Sequence, residues 1–457
     1  MGMGVVVRKS PPMVVRPSEP PPTTTASSGT IIKLSSFDKP CTTLPVTSFL
    51  VFEHPIHEAA ETVKKALSQA LVYYYPIAGR IVAGPGGGDD LHIQCNGEGV
   101  TFVAASASHA LKDVEFFARS SSPGSARKTT TTTTLLLLDE LAVYYPAERC
   151  GGPADPLLLM QVTEFSCGGF VLGATWNHGL ADGAGMAQFL QAVGELARGS
   201  SQPSLVPVRS SDDLPPRPDI SRRPTKKSEP LDLACLDIAV PVRVMSARKQ
   251  RLIYRDDVCK IKDDTGDTMF VNEVQPKPTS PGHDYGRSSP IPQHRPLRGP
   301  GNTPPPPCEP VAMDGYYGNC VTMRVVTAAA RTVANAGIMD LVEMIRRAKN
   351  GVVHDDQQTK DNGSDLDEEE QVRYNTLTLS SWRNIGFEKA DFGGGTPERV
   401  MCRLQPSVLA GPSCVVNLPC VTEKDGGLGS SNVFAACVKE EHAGAFLGEI
   451  ASLISFK

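Results

Sequence analysis

Two histidines in this chain are followed four residues later by an aspartate: His178 by Asp182 in WNHGLADGAGM, and His109 by Asp113 in SHALKDV. A histidine titrates near neutrality, so its neutral ring can take a proton from an attacking alcohol or amine and then hold it as a cation. With nine histidines and aspartate at roughly 6% of positions, about half a match arises by chance. Spacing alone therefore does not choose between the two pairs.

The surroundings do. FVLGATWN, just ahead of His178, has the content of a buried strand, and AGMAQFL opens a helix, which puts His178 at the turn leaving the strand. Such turns hold a side chain rigidly at the edge of a cleft. Asp182 immediately precedes the helix and is predicted to cap it, its carboxylate accepting from a backbone N–H two or three residues on. His109 has no flanking strand and reads as an ordinary loop or helix-start histidine. A Ser-His-Asp hydrolase would need a G-x-S-x-G elbow, which is absent. A zinc site would need further His or Cys at ligand spacing around His178. GPGGGDD at 84–90 lacks the lysine and following helix of a phosphate loop and reads as a turn.

The elements that must position this turn follow from periodicity. HEAAETVKKALSQALVYYYPIAGR repeats apolar residues at helical spacing (Val63, Leu67, Ala70, Leu71, Tyr74) until Pro76 stops it. LHIQC and VTFVA read as short strands flanking a tight NGEG connection, and LLLMQVTEF with FVLGATWN as a hairpin turning at CGG. Residues 184–198 form the helix after His178, with Met186, Phe189, Leu190, Val193 and Leu196 on one face. The Ser/Gly and threonine tracts of 119–138 read as an expanded surface loop, with the leucine run entering a strand. Residues 202–230, rich in proline and charge, have too few apolar groups to pack and mark a boundary. LDIAVPVRVM resumes as a strand, IMDLVEMIRRAKNGV is a helix, and TLTLSSW is an apolar run after an acidic loop.

Length and composition set the class. At 457 residues, 40% hydrophobic and 21% charged, the chain suggests two or three domains of a soluble globular protein. A net charge of −5 gives no basic field for nucleic acid or an anionic membrane. Twelve cysteines without any C-x-x-C pair read as buried thiols of a reducing compartment. With no secretory signal and no long apolar run, the expected location is the cytoplasm.

Several segments together resemble the plant BAHD acyltransferases, which move acyl groups from coenzyme A thioesters to alcohols or amines. HGLADG at 178–183 and DFGGG at 391–395 match the family's two signature motifs in order and separation. LSSFD at 34–38, YYPIAGR at 74–80, CNGEGV at 95–100, GYYGNC at 315–320 and LSSWRNIGFEKADFG at 379–393 agree. The resemblance implies a mixed α/β fold of two chloramphenicol-acetyltransferase-like domains with a channel between them. Residues 1–205 would form the first, 206–232 the crossover and 233–457 the second. It also implies His178 as general base without a covalent acyl-enzyme, and Asp182 as support of the motif, usually paired with an arginine. Ser380 and Trp382 would be the oxyanion or substrate contacts, with Trp382 alternatively a core aromatic. Asp391, Phe392, Gly393 and Gly395 would form a structural motif away from the site. Acyl-CoA would be a cosubstrate, with no permanently bound cofactor and no metal. A small-molecule alcohol or amine would accept the acyl group, and the chain would act as a monomer, away from nucleic acid and membrane.

Two departures stand out. Gly394 replaces the family's tryptophan, and a void there would cost roughly 3–5 kcal/mol if the site could not collapse. Between 250 and 310 the resemblance stops. Twelve prolines fall between Gln275 and Pro310, with neither strand nor helix period, and the stretch reads like translated non-coding sequence or an aberrant splice product. Pro304 stands about where the arginine partner of Asp182 would be. The second domain is thus expected to lack a helix and a strand and to be disordered there. The alternative reading is a non-catalytic or misfolded relative acting at most as a binding or interaction protein.

Overall fold

The computed structural model describes residues 5–20, 31–85, 90–114, 137–146, 152–209, 231–241, 266–274, 314–349, 376–382, 385–404, 411–420 and 430–455. In the first half the chain runs β1 (Val7–Lys9), β2 (Met13–Val15), β3 (Ile31–Lys33), β4 (Pro45–Phe52), α1 (Ala59–Tyr73), β5 (Arg80–Ala83), β6 (Leu91–Gln94), β7 (Val100–Ala107), β8 (Leu158–Phe165), β9 (Phe170–Asn177) and α2 (Gly183–Ala197). In the second half come β10 (Leu236–Pro241), β11 (Gly266–Val274), β12 (Val321–Ala329), α3 (Ala330–Asn335), α4 (Ile338–Lys349), β13 (Thr376–Ser381), β14 (Arg399–Arg403), β15 (Ser413–Cys420), β16 (Ser430–Ala436) and α5 (Ala443–Ser455).

One sheet has the order β1-β7-β8-β9-β4-β14, with β2 also pairing on β7. Its central strands are covered on both faces, which is why β4 and β9 are buried along their whole length rather than alternating. On β4, Val46, Leu50 and Phe52 enter the core shared with α1 and α2, while Phe49 and Val51 face a second cluster with Leu138, Leu141 and Val171. The predicted helix faces form as spaced. Val63, Leu67, Ala70 and Leu71 of α1 and Met186, Phe189, Leu190 and Val193 of α2 are fully buried. Each of the larger of these side chains contributes roughly 1.5–3 kcal/mol of transfer free energy.

Four expectations are corrected. NGEG does not join a hairpin: β6 lies in a small sheet with β3 and β5, whereas β7 belongs to the large one, so the segment carries the chain between sheets. The end of the leucine run, residues 137–140, forms a helical turn rather than a strand. Of the eight cysteines whose burial is described, only Cys320 and Cys402 are buried, and Cys167 is exposed.

The fourth correction concerns the atypical stretch. Gly266–Val274 is a strand, antiparallel to β12 along nine residue pairs and parallel to β13. It sits inside a second sheet of order β10-β16-β15-β13-β11-β12. The run TMFV within it is β-branched and aromatic, as a strand requires, but proline-rich and charged neighbours hide its period. Residues 242–265 and 275–313, where the missing helix and Pro304 fall, lie outside the described residues.

The two halves are stitched together. β14 crosses back to pair with β4 in the first sheet, from Arg399 opposite Val51 to Arg403 opposite Thr47.

Candidate active site

His178 follows β9, and every backbone carbonyl from Asn177 to Asp182 has a donor. Leu180 N–H bonds to the Asn177 carbonyl, and Met186 N–H to that of Asp182. Asn319 Nδ2 donates to the His178 carbonyl at 2.7 Å. Arg209 donates to the next two, from Nη2 to Gly179 at 3.2 Å and from Nε to Leu180 at 3.1 Å. The Trp176 indole N–H takes the Ala181 carbonyl at 2.9 Å. On the other side, His178 N–H donates to the Leu44 carbonyl and Asn177 Nδ2 to that of Thr42. A turn with all these groups satisfied has little freedom to relax, since each lost bond would strand a buried polar group.

Arg209 and Asn319 meet on one carboxylate. Asp38 is fully buried and pairs with Arg209 Nη2 at 3.2 Å. Its other oxygen accepts from the Asn319 N–H at 3.1 Å and Nδ2 at 2.8 Å, and Ser35 supplies two further donors. These contacts give the LSSFD and GYYGNC segments their place. Two glycines permit the approach. A Cβ at Gly185 would lie 1.9 Å from the Tyr317 carbonyl oxygen, and one at Gly318 would lie 2.3 Å from the Tyr316 hydroxyl.

Asp182 caps α2 as expected: Oδ1 accepts from Gly185 N–H at 2.8 Å. Its second oxygen takes the Cys320 N–H at 3.2 Å and the Cys320 thiol at 3.6 Å. Among the described residues no arginine pairs with Asp182. The buried arginine of this region, Arg209, serves Asp38 instead.

The His178 ring is half-buried, its Nδ1 enclosed without a hydrogen-bond partner. Burial favours the neutral ring. Against it stand the Cys41 thiol, which hydrogen-bonds to the ring and as a thiolate would hold it charged, and the Asp182 carboxylate, so that the pKa is pushed up to about 9. The rival pair does not assemble: His109 Nδ1 bonds to its neighbour Ser108 at 2.8 Å at the end of β7.

Trp382 is brought to the turn. Its ring lies between Trp176, at 6.1 Å, and Phe387, at 5.5 Å, and touches the start of α2 at Gly183. Its backbone N–H is spent on the Val416 carbonyl. Ser380 is half-buried on β13, opposite Asn272 and Val415; by the two-residue strand period it shares a side with Trp382.

DFGGG lies at the far end of α2, roughly 18 Å along the helix from Asp182 at 1.5 Å per residue. Asp391 accepts from Gly393 and Gly395 N–H and is gripped by Arg198. Phe392 packs edge-on against Phe52 and Phe170. No void marks the tryptophan replaced by Gly394: a Cβ there would meet the His54 carbonyl and Ile56 Cγ2, each at 3.0 Å. The site has collapsed onto the glycine.

Sequence reasoning left Arg209 in a linker, Cys41 among scattered thiols and Asn319 without a role. The LSSFD and GYYGNC matches were the signal that could have found Asp38 and Asn319.

A model of the Transferase family matches residues 6–265 and 308–426, leaving out the proline-rich stretch between. Acyl transferase 15 of Oryza sativa subsp. japonica is 38% identical, with 99% of each chain covered. Myricetin 3-O-glucosyl 1,2-rhamnoside 6'-O-caffeoyltransferase AT2 of Crocosmia x crocosmiiflora is 27% identical over 98% of this chain and 99% of its own. Among solved structures, vinorine synthase superposes with a TM-score of 0.64 at 18% identity, over 98% of both chains. TRI101 of F. graminearum, complexed with coenzyme A and T-2 mycotoxin, gives a TM-score of 0.53 at 12% identity, over 92% of this chain and 97% of its own. At those identities the likeness carries the fold, which is the mixed α/β, chloramphenicol-acetyltransferase-like one. A family model spanning most of the chain and a relative aligned end to end place it in the BAHD Transferase family of plant acyltransferases.

Proposed function

We propose that this chain transfers an acyl group from a coenzyme A thioester directly to a small alcohol or amine of specialised metabolism, with His178 as general base. The observation that carries the reading is a half-buried imidazole on a turn whose carbonyls from Asn177 to Asp182 are all hydrogen-bonded. Such a ring is rigidly held, and preorganisation of this kind is what proton transfer in a transition state exploits.

In this reading neutral His178 takes the acceptor's proton as its oxygen or nitrogen attacks the thioester carbonyl. The tetrahedral oxyanion is stabilised by donors from the Ser380–Trp382 segment, the Ser380 hydroxyl and the Trp382 indole N–H, since the Trp382 backbone amide is already bonded. Donors of this type are worth roughly 10²–10³ in rate. The intermediate collapses, expels the coenzyme A thiolate, and the imidazolium returns the proton to sulfur. Asp182 supports the turn through the helix cap and takes no part in the transfer. The division into 1–205, a 206–232 crossover and 233–457, a monomeric state and a cytoplasmic location belong to the same reading. Among the described residues no helix is long and apolar enough to cross a membrane.

The alternative is a non-catalytic relative, motivated by the replaced segment, expected to lack a helix and a strand, and by Gly394; against it, Gly266–Val274 forms a strand within the second sheet. The test is purified protein with acetyl-, benzoyl- and hydroxycinnamoyl-CoA and a panel of alcohols and amines. The caffeoyl transfer named for the Crocosmia relative argues for including the last donor. Coenzyme A should appear only with donor and acceptor together. Its release from donor alone, with one acyl group added to the protein mass, contradicts direct transfer. A folded protein that releases it from no donor contradicts the activity.

A further inference from the structure

The contacts around His178 have an uneven origin. Trp176 and Asn177 end β9, directly before His178, and Leu44 directly precedes β4, the partner strand of β9. Asn319 and Arg209 come from elsewhere: Asn319 lies 141 residues from His178, just before β12 of the second sheet, and Arg209 lies past the end of α2. Val208 and Tyr316 are bridged, and Val208 N–H donates to the Gly315 carbonyl, so the two segments form one small unit. One carboxylate, Asp38, holds both of the side chains by which that unit reaches the carbonyls of the catalytic turn.

We propose that Asp38, Arg209 and Asn319 are positioning residues for the general base. They form a clamp in which one buried carboxylate, through a guanidinium and an amide, holds the carbonyls of His178, Gly179 and Leu180, making placement of the ring conditional on docking of the 314–320 segment. The inference rests on the reading of His178 as the base.

Three observations support a clamp over mere packing. First, the donors act on three consecutive carbonyls, which fixes the backbone leaving His178 on its C-terminal side and leaves its side chain alone. Second, Asn319 Nδ2 bridges its two acceptors, Asp38 at 2.8 Å and the His178 carbonyl at 2.7 Å, so the amide cannot serve one without registering the other. Third, Asp38 and Arg209 are both almost wholly buried, and two such charges persist only when paired and further hydrogen-bonded. A fold that keeps a costly ion pair beneath one turn specifies that turn's geometry. The same docked segment delivers the Cys320 N–H to Asp182, so both ends of HGLAD are held from 314–320.

The test uses the full chain. Asn319→Ala leaves the Asp38–Arg209 pair intact and removes the tie to the His178 carbonyl. We expect kcat to fall roughly 10- to 100-fold, the range for a reacting group displaced by about 1 Å. KM for acyl-CoA should stay within about threefold, because ground-state binding is untouched. The two tryptophans of the chain, Trp176 and Trp382, both border the turn, so the intrinsic emission should shift in this variant although the far-UV spectrum does not. If Asn319→Ala fails to fold, Arg209→Lys carries the test: the lysine keeps a charge for Asp38 but cannot fork to two carbonyls, and the same fall in kcat is expected. A folded variant with kcat within about twofold of wild type overturns the clamp, provided His178→Ala is inactive. Turnover surviving in His178→Ala instead overturns the base itself, so the two failures are distinguishable.

Discussion

At His178 burial and charge pull in opposite directions. Burial disfavours the imidazolium, while Cys41 and Asp182 favour it and push the pKa up to about 9. A general base must be neutral before it acts, so the rate should rise with pH as the ring loses its proton. Cys41→Ala removes the group that most favours the charged ring. The acidic limb of kcat/KM against pH should therefore move to lower pH; an unmoved or raised limb contradicts the role given to Cys41. What was legible at this scale was local. The Asp182 cap and the strand-turn-helix around His178 lie within one short window, and the structure reproduces them. Arg209, Asn319 and Cys41 reach the turn from 29 to 141 residues away, and no periodicity records such contacts. Asp182 keeps its cap with no arginine paired to it among the described residues, because the cap needs only its own helix.

At the scale of elements, DFGGG is an anchor for the far end of α2. A glycine where the family carries tryptophan predicts a void, yet His54 and Ile56 have closed on Gly394. Restoring the large residue by Gly394→Trp should therefore destabilise the protein, by about 1–3 kcal/mol as overpacking does. Denaturant unfolding would show it as a lower midpoint with an unchanged slope; a higher midpoint would mean that the space is still there. Amphipathic elements were the legible ones. α1, α2 and the β8–β9 hairpin carry their burial pattern in their own residues. β11 was not, because nine residues of strand between charged and proline-rich stretches give too short a signal. β6 and β7 were seen as strands but paired wrongly, because sequence adjacency does not tell which sheet a strand joins.

Across the whole molecule the junction of the two sheets holds a buried acid. Asp237 of β10 has its carboxyl pushed up to about 7 by burial, against the opposing pull of Arg403 on β14 and of the nearby Asn432 amide on β16. Its folded pKa lies above the ordinary carboxylate value, so the folded state binds the proton more tightly. This group's contribution to stability is present in acid and is lost as pH rises from about 4 through about 7. Asp237→Asn should remove that part of the slope and gain stability relative to wild type above pH 7, measured by thermal unfolding between pH 5 and 8. A variant less stable than wild type at pH 8 contradicts the assignment. Such coupling between sheets is the least legible feature of the sequence, since it depends on β14 leaving the second half to pair with β4.

If one ring on one turn takes the acceptor's proton, transfer must fail when that ring is removed. The most direct test is the initial rate of coenzyme A release by His178→Ala beside wild type, with the donor and acceptor that the panel selects. Thermal unfolding of both proteins shows that the variant is folded. The variant is expected to be folded, with its rate reduced by roughly 10²–10⁴, the usual worth of a general base. A folded variant turning over at the wild-type rate would contradict that role.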